Sequence, residues 1–231
     1  GGIIVFVPGS AGNPSNYYYE MGVVDLAVGT TSPMQFQGVP QNIVPGLNPI
    51  PGAEWGAYKT SVSLSANNTS TLFGEGVNNT NVLVANTPFY FNDSVAAQLC
   101  ATYNGGGLND WFLPSLAEFH GSVNSGAFNN SLYPGNGQYK PIGLNWTSSA
   151  HYDQADLQLD GKAYGFDAST VSSYIGYRPY TLSVRPMRRF ECIPLPTEQY
   201  NYRDVIGSQS IWAFKPVYTP GSCFSGTPIS G

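Results

Sequence analysis

Charge is what this sequence has least of. Its 231 residues hold 9 Lys+Arg and 14 Asp+Glu, 10% of the chain, where a soluble domain usually has ~25%. A net charge of −5 speaks against nucleic-acid binding by phosphate neutralisation. The shortage of Glu, Lys and Arg also excludes a long helical bundle or coiled coil. Long apolar runs are missing too. The longest, Ile3 to Val7, falls far short of the ~20 residues that cross a bilayer, so no direct membrane insertion is expected. No basic stretch precedes it, so it is not a signal peptide as it stands. The first residue is Gly1 and not Met, which reads as a processed, trimmed or partial chain.

Reactive side chains are equally scarce. There are 3 cysteines, Cys100, Cys192 and Cys223, with no C-x-x-C among them, which excludes a zinc knuckle or a thioredoxin-like pair and allows at most one internal disulfide. Cys100 sits on an apolar helical stretch and reads as a small buried thiol. H-E-x-x-H, G-x-S-x-G and P-loop patterns are absent. The acids Asp153, Asp156 and Asp160 lack the spacing and terminal Glu of a calcium loop. No catalytic residue, metal ligand or cofactor is therefore assigned. Disorder is excluded by 42% hydrophobic residues, enough to offset chain entropy.

What the chain does contain is 27 Gly, 18 Pro and 16 Tyr, the composition of a loop-rich, neutral-surfaced domain. Gly1–Val7 and Met21–Val28 read as strands, and the Pro-studded stretch from Thr30 to Gly52 as irregular. Asp93–Tyr103 reads as a helix with an apolar stripe, capped by Asn92 or Asp93 and stopping near Gly105. Ser115 and Glu118 have capping-box spacing for a second short helix through Phe119. Leu144–Ser148 reads as a strand, Asp160-Gly161 as a hairpin turn between Leu157–Leu159 and Ala163–Phe166, and Thr181–Phe190 as a last strand. The class expected is α+β, with residues 1–190 as one domain and 191–231 as an extended arm. Six N-x-S/T sequons occur, at Asn67, Asn68, Asn78, Asn92, Asn129 and Asn145.

Candidate binding residues follow from a few clusters. His120 ends the short helix, where it suits the helix dipole. His151 lies after a strand beside Tyr152 and is the better ligand contact. Four of the five arginines, Arg178, Arg185, Arg188 and Arg189, fall within twelve residues. They read either as an anion-binding patch or, for Arg185, as an interior partner of Asp110 or Glu118. Tyr152, Tyr164, Tyr174, Tyr177 and Tyr180 crowd the same region and suit a sugar-binding face or a subunit interface equally.

The segments GGIIVFV (Gly1–Val7), GAEWG (Gly52–Gly56), DSVAAQLC (Asp93–Cys100), NDWFLPSLAEF (Asn109–Phe119), NWTSS (Asn145–Ser149) and LSVRPMRRF (Leu182–Phe190) occur in that order. Together they resemble the family named for the C-terminal domain of the collagen-like adhesin Lcl, found in many bacterial surface proteins. The resemblance implies a C-type-lectin-like fold related to the formylglycine-generating enzymes: two helices on a twisted antiparallel sheet, with long loops above. It implies binding and not catalysis, since the adhesin forms trimers and takes sulfated glycosaminoglycans. Trp55, Trp111, Leu113 and Trp146 would then be core, and the loops Asn124–Pro141 and Ser169–Tyr180 the variable face. The calcium-dependent sugar motifs of true C-type lectins are absent, and Asn109-Asp110-Trp111 only superficially echoes one of them. The close cysteine pair of the formylglycine-generating enzymes is absent too, and the acidic net charge speaks against glycosaminoglycans.

The function expected is recognition of a glycan or a surface protein, outside the cell, on a cell surface or on a virion, with Tyr174, Tyr177, Arg178, Tyr180, Arg188, Arg189, His151 and Tyr152 as contacts. A structural subunit of a surface assembly or phage particle, oligomeric through its C-terminal arm, is the alternative.

Overall fold

The computed structural model describes residues 2–10, 12–27, 52–56, 69–86, 95–129, 139–151, 161–178 and 180–191, with the backbone of 205–206 and 209–210. The chain divides into two units, Gly1–Arg189 and Phe190–Gly231. In the second, β7 (Val205–Ile206) and β8 (Gln209–Ser210) pair antiparallel. Among the described residues, two further antiparallel sheets and three α-helices make an α+β architecture. The first sheet runs β1 (Ile3–Phe6), β2 (Tyr17–Met21), β6 (Met187–Glu191), and the second β3 (Leu144–His151), β4 (Lys162–Asp167), β5 (Ser172–Tyr177). The helices are α1 (Gly76–Asn86), α2 (Ala96–Thr102) and α3 (Leu116–Asn124).

Only α3 begins where its sequence motif places it. Ser115 Oγ accepts the Glu118 N–H at 3.3 Å and Glu118 Oε2 accepts the Ser115 N–H at 2.7 Å. Two orphan donors of the first turn are thereby satisfied. The helix continues beyond Phe119 because Phe119 and Val123, four residues apart, bury the same face. Gly121 lets Phe6 close on it, since a Cβ there would stand 2.8 Å from the Phe6 ring. His120 is therefore inside the helix and not at its end.

Among the described residues the expected pair of helices becomes three, because α1 carries little propensity of its own. Its sequence GVNNTNVLVAN is dominated by Asn, Thr, Val and Gly, all poor helix formers. Tertiary bonds fix it instead. Asn79 donates to Ser70 O at 2.7 Å and Ser148 Oγ at 3.0 Å, Thr80 Oγ1 accepts the Leu113 N–H at 3.0 Å, and Leu83 is fully buried. Full burial of one such Leu stabilises by about 1.5–3 kcal/mol. α2 starts at Ala96, capped by Val95 without a side-chain bond, because the Ala96 N–H bonds to Glu54 O. The proposed caps Asn92 and Asp93 lie outside the described residues.

Strand limits move as well. The strand expected over Met21–Val28 is not formed in its described part: β2 ends at Met21, and of residues 22–27 only Ala27 keeps a bridge, to Val184, while Val28 lies outside the described residues. Pro186 lacks an N–H for a ladder and divides the expected Thr181–Phe190 strand. Before it, Leu182 and Val184 bridge Ala53 and Ala27, and Ser183 bridges Asn145; after it, Met187 bridges Phe112 and opens β6. This short run stitches the two sheets together. The Asp160-Gly161 hairpin does not pair as expected: β4 pairs with β3 (His151↔Lys162) and with β5, while Leu157–Leu159 lie outside the described residues. Much of the expected loop Ser169–Tyr180 is the strand β5.

Two hydrophobic clusters hold the unit. One gathers Trp55, Trp146, Leu83, Leu113, Leu182 and Val184 with Ala96, Ala97 and Cys100 of α2. Both indole N–H groups in it are bonded, Trp55 to Thr147 O at 2.7 Å and Trp146 to Ala53 O at 2.8 Å, so neither ring carries the penalty of a buried unmet donor. The other cluster joins the first sheet to α3 through Phe6, Tyr19, Met21, Phe119, Phe166 and Met187. Cys100 is a free, buried thiol, pushed well above its usual pKa by desolvation. Asn145, though in a sequon, is buried and donates to Ile142 O and Gly143 O, so a glycan cannot reach it, whereas Asn78 is exposed on α1.

Candidate functional site

The four clustered arginines do not share a surface. Arg185 is buried and bonds Asp25 at 2.6 Å and Gly22 O at 2.8 Å. Its acidic partner is thus Asp25, neither Asp110 nor Glu118. Burial raises the Asp25 carboxyl above its usual range, and the Arg185 charge opposes that rise. Arg188 is buried too, held by Glu20 at 3.3 Å and Asp110 at 2.9 Å. Arg178 is buried with its guanidinium 4.7 Å from the Trp55 ring centre, and desolvation lowers its pKa to about 10. Gly161 makes room for it, since a Cβ there would meet the guanidinium at 2.9 Å. Arg189 is half-buried, donates to Gly74 O and lies over Tyr17. An anion has no common guanidinium face to dock on, because three of the four are enclosed by their own acids, carbonyls and rings.

The aromatic residues sort by strand alternation. On β4, Ala163 and Gly165 face inward, while Lys162, Tyr164 and Phe166 take the outer face. The register Lys162↔Tyr177, Tyr164↔Ile175, Phe166↔Ser173 carries that face onto β5, and His151↔Lys162 carries it onto β3. Tyr174, one residue out of phase, turns inward and packs on the Trp146 cluster. Glycine makes this possible: a Cβ at Gly176 would stand 2.6 Å from the Tyr174 ring and 3.2 Å from Trp146. Tyr180 also packs on that cluster and meets Tyr177 edge-on at 5.5 Å.

Helix α3 covers the Phe166 end of the outer face, through Phe119 and His120, each 5.5 Å from the Phe166 ring centre. The β5 side of the face is exposed. Tyr177 is 40% and Ile175 47% exposed. Lys162 Nζ stands 5.3 Å from the Tyr177 ring centre, within cation–π range. His151 meets Tyr164 edge-on at 5.1 Å, and its Nδ1 is buried with no hydrogen-bond partner among the described residues.

This open face, with His151, Lys162, Tyr164, Ile175 and Tyr177 on one rigid sheet, is the candidate site. It can stack flat apolar faces on two tyrosines and offer hydrogen bonds from Lys162, His151 and the phenols at its rim. Of the residues proposed as contacts, it unites His151 and Tyr177. Tyr174, Arg178 and Arg188 are turned inside, Tyr180 packs on the Trp146 cluster and borders the face only through its edge contact with Tyr177, Arg189 sits apart from it, and Tyr152 lies outside the described residues. Lys162 and Ile175 were missed, although the alternation in KAYGFD and SSYIGY carries both.

The remaining singled-out residues are structural in place. Trp111 is buried, edge-on to Tyr103 at 5.2 Å. Glu118 is enclosed, its oxygens accepting N–H from Ser115 and from Gly74 at 3.1 Å; desolvation outweighs these bonds and raises its pKa to about 7. Compared with protein-family models, curated proteins and solved structures, the chain matches none.

Proposed function

We propose that the chain is a non-catalytic recognition domain, displayed outside the cell, that takes a neutral glycan on the open face of β3–β5. The observation that carries this reading is exposed Tyr177 and Ile175 beside half-buried Tyr164, fixed on one face by sheet register and rimmed by Lys162 and His151. Tyrosine on a strand presents a flat, partly polar surface with little side-chain entropy left to lose. The net charge of −5 and the enclosed arginines favour close contact with a neutral sugar over long-range capture of a sulfated one. The resemblance to the adhesin family supports binding as the role and a C-type-lectin-like scaffold as the finer description of the α+β fold.

A glycan array on the whole chain, with and without calcium, tests this. The expected signal is for neutral glycans, independent of calcium, and weakened at least tenfold in Tyr177→Ala, about 1.4 kcal/mol. An array that stays dark, or a signal indifferent to both Tyr177→Ala and Tyr164→Ala, refutes it. The second reading, a structural subunit of a surface assembly or phage particle, is favoured by the edge of β5.

A further inference from the structure

The outer edge of β5 has the properties of a strand that pairs. Its six residues Ser172–Tyr177 match β4 in unbroken register, with no bulge, proline or charged side chain. Edge strands that stay single usually carry such blocks, because their free N–H and C=O groups template another strand. Among the described residues no strand lies beyond β5.

The direction of those free groups follows from one bond. Arg178 N donates to Gly161 O at 3.1 Å, which makes Arg178–Gly161 a hydrogen-bonded pair of the antiparallel ladder. Pairs alternate along such a ladder, so Ser172, Tyr174 and Gly176 point their backbone groups at β4. Ser173, Ile175 and Tyr177 point theirs outward. The Tyr164 carbonyl, opposite Ile175, is correspondingly turned away from β5 and accepts from Thr147 Oγ1 at 2.7 Å.

We infer that β5 pairs antiparallel with β5 of a second copy of this chain, about a two-fold axis through Ile175. In that register Ile175 faces Ile175 of the second copy as a hydrogen-bonded pair, and Ser173 faces Tyr177 on either side. All three positions have outward backbone groups, so the parity matches on both copies, as a two-fold interface demands. The Tyr177 carbonyl already accepts the Tyr180 N–H at 2.9 Å and has a second lone pair to offer. No like charges meet, since the strand has none, although each copy is net acidic. Exposed Ile175 side chains cover one another, and the two tyrosine faces become one continuous surface. The pairing is independent of the ligand reading and stands or falls separately from it.

Sedimentation velocity across a concentration series tests it on the whole chain. The wild type is expected to sediment as a dimer. Ile175→Pro removes an outward N–H while leaving the ladder to β4 intact, and Ile175→Lys sets two cations at the axis. Each is expected to raise the dimer dissociation constant at least tenfold with near-ultraviolet circular dichroism unchanged. In a Cys192→Ser, Cys223→Ser background, Ile175→Cys is expected to form an intermolecular disulfide on mild oxidation, since Cα atoms of such a pair stand about 5.5 Å apart. Ser172→Cys is expected to stay reduced. A monomeric wild type, whatever else it binds, overturns the inference. So does a dimer that survives both Ile175→Pro and Ile175→Lys, or one in which Ile175→Cys fails to cross-link.

Discussion

Replacing Arg188 with Met would expose how much the interior of the first unit depends on one cation. Arg188 is 6% exposed, and its guanidinium stands between two acids of different surroundings. Asp110 is about half exposed, so water takes over when the arginine goes, and that half of the contact is worth about 0–1 kcal/mol. Glu20 is buried and also accepts the Gly2 N–H. Stranding it costs about 3–5 kcal/mol, a large part of the ~5–15 kcal/mol available to a native domain. Arg188→Met should therefore lose about 3–5 kcal/mol, and Asp110→Asn about 1 kcal/mol or less. Adding Glu20→Gln to Arg188→Met should recover more than half of the loss, because the stranded charge is gone while Gln still accepts the Gly2 N–H. Urea unfolding followed by tryptophan fluorescence reads this directly: with a slope of about 2 kcal/mol/M, the midpoint should fall by about 2 M. A loss under about 1 kcal/mol, or no recovery in the double variant, would show that Glu20 is solvated and refute the argument.

Glu118 should make stability depend on pH with an inverted sign. Its folded pKa of about 7 lies above the unfolded value of 4.5, so its contribution is complete below about 4.5 and is lost as pH rises through about 7. That amounts to roughly 3 kcal/mol across the window. Glu118→Gln lacks this loss, so its stability relative to wild type should improve as pH rises from 4.5 to 8, whatever its fixed cost; a flat difference in chemical denaturation would sink the prediction. Val171, at the turn into β5, holds a φ of +56°, a left-handed conformation that strains a β-branched residue. Val171→Gly should raise stability by about 1 kcal/mol, read as a higher melting temperature, and a lower one would contradict it.

Features that depend on three or four neighbouring residues were legible in the sequence. The capping box of α3 was, because both halves of its reciprocal bond lie within Ser115–Glu118. The strand at Leu144, the buried Cys100 and the mixed α+β class were legible for the same reason: apolar patterning is a local property. α1 was not, because nothing in GVNNTNVLVAN favours a helix until Ser70, Leu113 and Ser148 supply its partners. The tyrosines were seen as a crowd but not as faces. Only strand limits tell that Tyr174 and Tyr177, three apart, look in opposite directions.

Which acid each arginine would meet was beyond local reading altogether. Asp25 and Arg185 are 160 residues apart, and composition alone cannot choose among 14 acids. Here the sequence by itself determined the inventory: few charges, two histidines, many tyrosines, and glycines where rings must lie flat. Tertiary structure decided their use. Packing drew three scarce cations inside, where desolvation demands paired acids, carbonyls or an aromatic face, and it left tyrosines on an open sheet, where register alone chose which of them meet solvent.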